Sequence, residues 1–189
     1  MHIVFVAFDG FTDIDLFMPW DLFHRVRDPD YAGYSGPWRV SICADTRQIT
    51  SYSGLTIAAD GPLSWARDAD AVFIVSGPGS RQKLRDPSFL DELRLDPSRQ
   101  MVAAIDSGVL LLAKLGLLQG LSATTYPGVF PELEAMGIRT EHRGFVVHGN
   151  IATGGGCLAT QDLAAWIVER LAGVEAARSI LESVAKVGS

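Results

Sequence analysis

The stretch from residue 101 to residue 116 constrains the fold more than any other. Five apolar residues, Met101 to Ile105, end abruptly in Asp106, Ser107 and Gly108, and Val109 to Gly116 then reads as a helix. A short apolar run that feeds straight into a helical one predicts a buried strand turning sharply into its helix. At such a junction the turn residue stands above the sheet, and the backbone N–H groups of the helix start point at it. Asp106 occupies that turn, so the chemistry is expected there.

Composition narrows the setting. A chain of 189 residues with 48% hydrophobic and 20% charged residues is expected to form one soluble domain, residues 1–189, with a substantial core. Its apolar runs fall well short of a membrane span, so no membrane partner is expected. Met1 to Phe8 has no basic region and no small-residue cleavage site; it reads as a first core strand, and the expected location is the cytoplasm. A net charge of −6 with no Lys/Arg block argues against nucleic acid as a direct partner. Cys43 and Cys157 have neither metal-ligand spacing nor the density of a disulfide framework, and no spacing implies a metal or an organic cofactor.

In chain order, His2 to Phe8 reads as a central parallel strand, and Ile14, Phe17, Met18, Leu22 and Val26 recur with helical spacing. Thr12 or Asp13 serves as N-cap of that helix, and Pro19 is expected to kink it. Asp15 lies in its first turn, where a capping carboxylate would also be placed. Trp38 to Ala44 is the next strand, Gln48 to Ala59 a hairpin beside the main sheet, and Ala69 to Val75 a third core strand ending in the loop Ser76-Gly-Pro-Gly-Ser80. Pro87 to Leu95 and Phe130 to Gly137 read as short helices, and Phe145 to Ala152 as a hairpin carrying a half-exposed His148. Thr153 to Gly156 leads into an amphipathic helix over Leu158 to Ala172, with a closing helix over Glu175 to Ala185. Cys157 at that junction reads either as a thiol favoured toward thiolate by a helix N-terminus or as a small group filling space beside the elbow.

Five segments together carry a resemblance: Asp15 to Asp21, Ser76 to Ser80, the elbow at Asp106, Gly116 to Thr125, and Thr153 to Gly156. They resemble the DJ-one/ThiJ/PfpI superfamily over nearly the whole chain, and within it the isonitrile hydratases. The resemblance implies an α/β flavodoxin-like three-layer sandwich with a mostly parallel central sheet, a nucleophile elbow, a small-molecule substrate or ligand, and a homodimer. It also implies a pocket built from Asp15, Gly77, Asp106, Ser107, Tyr126 and Cys157. Asp15 matches the family's catalytic acid, and Gly77 matches a glycine whose N–H helps to hold an oxyanion, with Val75 and Ser76 in place of the usual Pro and Gly. Tyr126 stands where the hydratases tend to carry His. Ser107 stands where protease-type members carry His, so no Cys-His or Ser-His pair can assemble at the elbow and a protease is not expected.

The departure that matters most is Asp106, at the position of the family's nucleophilic cysteine. It admits three readings. The chain is a binding or sensor module without the family's chemistry, like the ligand-binding half of AraC-type regulators but with no helix-turn-helix segment in its sequence. Alternatively, Asp106 and Asp15 act as a carboxylate pair in hydration or hydrolysis. In the third reading, the aspartate is an engineered replacement of the cysteine, since it imitates the sulfinate to which such cysteines oxidise. Two carboxyls facing one pocket cannot both ionise cheaply. The expectation is an ionised Asp106, served by the N–H groups of the helix start, hydrogen-bonded to a protonated Asp15, with strained backbone at Asp106.

Overall fold

A computed structural model describes residues 1–187. Seven strands form the main sheet: β1 (His2–Val6), β2 (Arg39–Ala44), β3 (Gly61–Pro62), β4 (Ala71–Ile74), β5 (Met101–Ile105), β6 (Phe145–His148) and β7 (Ile151–Gly154). Their order is β6-β7-β5-β4-β1-β2-β3, and every neighbouring pair is parallel except β6 with β7. The apolar runs of β1, β4 and β5 are continuous rather than alternating because both faces of these strands are covered; β4 and β5 are buried along their whole length. Cys43, in β2, is buried, and burial pushes its thiol up to about 12.

The helices α1 (Asp13–Arg25), α2 (Val109–Lys114), α3 (Thr160–Ala172) and α4 (Val174–Glu182) supply the outer layers, with α1, α3 and α4 packed against one another. This is the expected flavodoxin-like sandwich. At its centre the ring of Phe5 lies 5.3 Å from Phe73, 5.6 Å from Phe23 and 6.0 Å from Trp20, so strand and helix interlock through aromatic contacts. Helix α1 runs through Pro19 without ending. Pro19 lacks the N–H that would bond the carbonyl of Asp15 four residues earlier. Thr12 is its N-cap by position, although its side chain makes no capping bond. The expected hairpins form at Gln48–Thr50 with Thr56–Ala58 and at β6 with β7. Among the described residues no helix is long and apolar enough to cross a membrane.

Strand order reverses at β1: β2 and β3 continue to one side, and β4, β5 and β7 to the other. In open α/β sheets the crevice for a ligand lies at the carboxyl ends of the strands beside such a switch point. Here the loop after β4 crosses the loop after β1, held by Thr12 N–H to the Ser76 carbonyl at 2.9 Å and Gly79 N–H to the Gly10 carbonyl at 3.3 Å. The crossing leaves no room for a side chain at Gly77. Its φ is +139°, and a Cβ there would lie 2.1 Å from the Gly10 carbonyl oxygen. Gly77→Ala is therefore expected to cost about 2 kcal/mol or more, read as a lowered midpoint in urea with an unchanged m-value, whereas Gly54→Ala, which meets nothing within 4 Å, should cost less.

Candidate active site

Asp106 sits at the end of β5 with φ +49°, and it is the only non-glycine residue with positive φ among those described. Left-handed backbone costs energy for any L-residue, though Asp tolerates it better than most, so the surrounding contacts must impose it. Two of them are visible. The Thr125 hydroxyl donates to the Asp106 carbonyl at 2.7 Å, and Gly108 presses against the previous strand so closely that a Cβ would lie 2.5 Å from the Val75 carbonyl oxygen. The strained elbow expected at this position is present.

The donors expected to face a substrate oxyanion are used within the protein. Gly77 N–H donates to Ser107 Oγ at 3.0 Å, and that hydroxyl donates back to the Gly77 carbonyl at 3.2 Å. Ser107 N–H donates to the carboxylate of Asp106 itself. A carboxylate carries its own negative charge, so it fills the place that a thiolate would leave for a substrate oxygen.

An open cleft of about 290 Å³ lies above the elbow, lined by Thr12, Gly77, Arg81, Asp106, Ser107 and Tyr126 among others. Tyr126 stands half exposed at its edge, at 51%. Arg81 was not singled out in the sequence; its guanidinium is held by Glu132 at 2.6 Å and stands near enough to favour the anion of Asp106.

Asp15 does not line this cleft. It is wholly buried, and one carboxyl oxygen, Oδ2, accepts from the Ser76 hydroxyl while the other, Oδ1, has no hydrogen-bond partner among the described residues. The expected hydrogen bond between Asp15 and Asp106 is replaced by this one to Ser76. The two carboxyls and the Cys157 thiol nevertheless gather, with one donor atom from each within 4.8 Å of the others. Cys157 opens a short 3-10 turn over Cys157–Ala159 after the glycine turn and faces a separate hollow on its other side. The elbow thus brings Gly77, Ser107 and Tyr126 to the cleft with Asp106, and places Asp15 and Cys157 beneath it.

The profile of the DJ-1/PfpI family matches residues 1–170. The chain belongs to the DJ-1/PfpI family. An isonitrile hydratase of Pseudomonas putida is 28% identical over 184 residues, covering 95% of this chain and 76% of that protein. A ThiJ/PfpI family protein of known structure from Pseudomonas syringae superposes with a TM-score of 0.82 at 24% identity, covering 100% of this chain and 78% of that one. The HTH-type transcriptional regulator CdhR of Pseudomonas aeruginosa is 31% identical over 90 residues, which is 47% of this chain and 26% of that protein.

Charge is distributed unevenly over this DJ-1/PfpI site. Burial, and then the negative charge of Asp15, push the Asp106 carboxyl up to about 6, against the pull of the Ser107 N–H and Arg81. Burial also raises Asp15, but the Ser76 hydroxyl and the approach of the Cys157 thiol offset part of that rise. Burial therefore raises both members, and the first proton taken up as the pH falls belongs to the coupled pair. From the helix start, the Ser107 N–H donates to Asp106. Cys157 is corrected too: burial and the two carboxyls push its thiol up to about 12, so the turn does not favour a thiolate.

The raised carboxyl makes a stability prediction. Its folded pKa of about 6 lies above the ordinary 3.8, so the native state binds the proton more tightly than the unfolded chain, and ionisation costs native stability. That cost is complete above pH 6 and absent below the ordinary value. Asp106→Asn is expected to stabilise the protein at pH 8 by about 1–2 kcal/mol, a figure reduced for its partial exposure, and to have no such effect at pH 3.5; urea denaturation at the two pH values measures the difference.

Proposed function

We propose that this DJ-1/PfpI protein adds water to a small polarised molecule of the isonitrile class, with Asp106 as the group that gives a proton and takes one back. The observation that carries this reading is the elbow itself, which pushes a single carboxyl out of a fully buried strand and into a small cleft. The protonated Asp106 delivers its proton to the isonitrile carbon, water oxygen bonds to that same carbon, and the proton released from the water returns to the Asp106 carboxylate. Transfer of the remaining hydroxyl proton to nitrogen completes an N-substituted formamide. Asp15, buried beneath, has no contact with substrate in this scheme and acts through its charge on Asp106. The P. putida relative, an isonitrile hydratase by name, supports the substrate class.

A second reading, a ligand-binding sensor module, is favoured by two observations. Both would-be oxyanion donors are already satisfied within the protein, and a stretch of 90 residues resembles a transcriptional regulator.

Asp106→Asn and Asp106→Cys separate the two readings in an assay of formamide production from an aryl isonitrile. Under hydration by a carboxyl, the native protein turns over and Asp106→Asn loses on the order of 10²-fold in rate, since the amide is nearly isosteric but cannot relay the proton. A native protein that binds the isonitrile without converting it, with the Asn variant binding about as well, establishes the sensor reading. Asp106→Cys reports on the rest of the cleft: a folded but inert Cys variant shows that the cleft has lost the hydratase arrangement as well as its nucleophile.

A further inference from the structure

We propose that Asp15, Asp106 and Cys157 form a binding site for one borderline divalent cation of the Zn²⁺ class. It shares Asp106 with the reaction above without resting on it, and a cation bound there excludes the proton relay. Its donors come from three separate segments, the first turn of α1, the elbow after β5 and the turn after β7, yet one ligand atom of each lies within 4.8 Å of the others.

The decisive feature is the second oxygen of Asp15. The residue is wholly buried, Ser76 holds Oδ2, and Oδ1 has no hydrogen-bond partner among the described residues. A buried carboxylate oxygen without a partner is costly, and the cost is greater here because a second carboxyl stands beside it. A cation between the three groups gives Oδ1 a bond, cancels the repulsion between the carboxyls and turns the thiol into a ligand. One thiolate and two carboxylates select the metal. Mg²⁺ and Ca²⁺ prefer oxygen alone and Cu⁺ prefers sulfur alone, whereas Zn²⁺ accepts both donor types. Zn²⁺ bonds of ~2.0–2.3 Å place the ligand atoms of a tetrahedral site ~3.3–3.7 Å apart. Donors within 4.8 Å of one another need a side-chain adjustment of about an ångström to reach that spacing.

On binding, the S–H bond of Cys157 breaks, the sulfur–metal bond forms, and the proton leaves to solvent. Cys157 also borders an open hollow of about 450 Å³ together with Gly155, Gly156 and Asp162.

Titration of chelator-stripped protein with Co²⁺, followed by absorbance, tests the site directly. The expected result is one Co²⁺ per chain with a thiolate-to-cobalt charge-transfer band, displaced by Zn²⁺. Cys157→Ser should abolish the band and Asp15→Asn weaken binding at least tenfold, while Cys43→Ser, altered in a buried sheet strand, keeps both. In the unaltered protein, Zn²⁺ should also slow alkylation of Cys157 by a maleimide, a readout that requires no variant to fold. No band at saturating Co²⁺, a band that survives in Cys157→Ser, or alkylation of Cys157 that Zn²⁺ leaves unchanged would overturn the proposal.

Discussion

The left-handed backbone of Asp106 depends on contacts from three parts of the chain, and those contacts also build the site. A non-glycine residue at φ +49° is held only where its neighbours leave no other path. The Thr125 hydroxyl holds the carbonyl of the strained residue. Gly108 lets the start of α2 press against Val75, and Gly77 lets the loop after β4 cross the loop after β1. Each of these glycines allows an approach that a Cβ would prevent. Together they bring the ends of β1, β4 and β5 to one point, and the side chain that emerges there is the carboxyl of Asp106.

Electrostatics at that point oppose stability. Two carboxyls and a thiol lie close together, and the first effect of burial is to disfavour the charged form of each. Local hydrogen bonds compensate only in part. Ser76 serves one oxygen of Asp15, and Ser107 N–H serves Asp106, while Asp15 Oδ1 is left over. Such an arrangement persists when the continuous apolar packing of β1, β4 and β5 supplies the stability that the site spends. It also separates the two carboxyls by place, since Asp106 lines the cleft and Asp15 lies buried beside it.

The fold was legible because its signals are local. Unbroken apolar runs in β1, β4 and β5 mark strands covered on both faces, and helical spacing through Ile14 to Val26 survived even the proline that was expected to kink it. The elbow was legible for the same reason, as an apolar run that stops at Asp-Ser-Gly and restarts as a helix. The destinations of single hydrogen bonds were not. Nothing in the spacing of Asp15 says that its carboxyl turns to Ser76 rather than to Asp106, or that the Ser107 hydroxyl takes the Gly77 N–H. A signal for the first was present: Ser76 brings a hydroxyl to a loop position where glycine was the family's usual residue, and a hydroxyl beside a buried carboxyl finds it. Arg81 carried no such signal, because its approach to the cleft depends on an ion pair with Glu132, 51 residues away in sequence.

Burial limits what the helix start can do for the elbow carboxyl. A helix start supplies N–H groups that favour an anion, and from sequence that places the charge on Asp106. In the folded chain the segment over Asp106–Gly108 is a tight 3-10 turn, and the N–H that reaches the carboxylate is that of the very next residue. One such bond is outweighed by burial and by the neighbouring charge of Asp15, so the elbow carboxyl ends up at about 6. A thiolate at this elbow would leave the Ser107 N–H free for a substrate oxygen. A carboxylate reaches back and occupies that donor itself. The carboxyl at the turn therefore changes both the group presented to the cleft and the place where developing charge could be held.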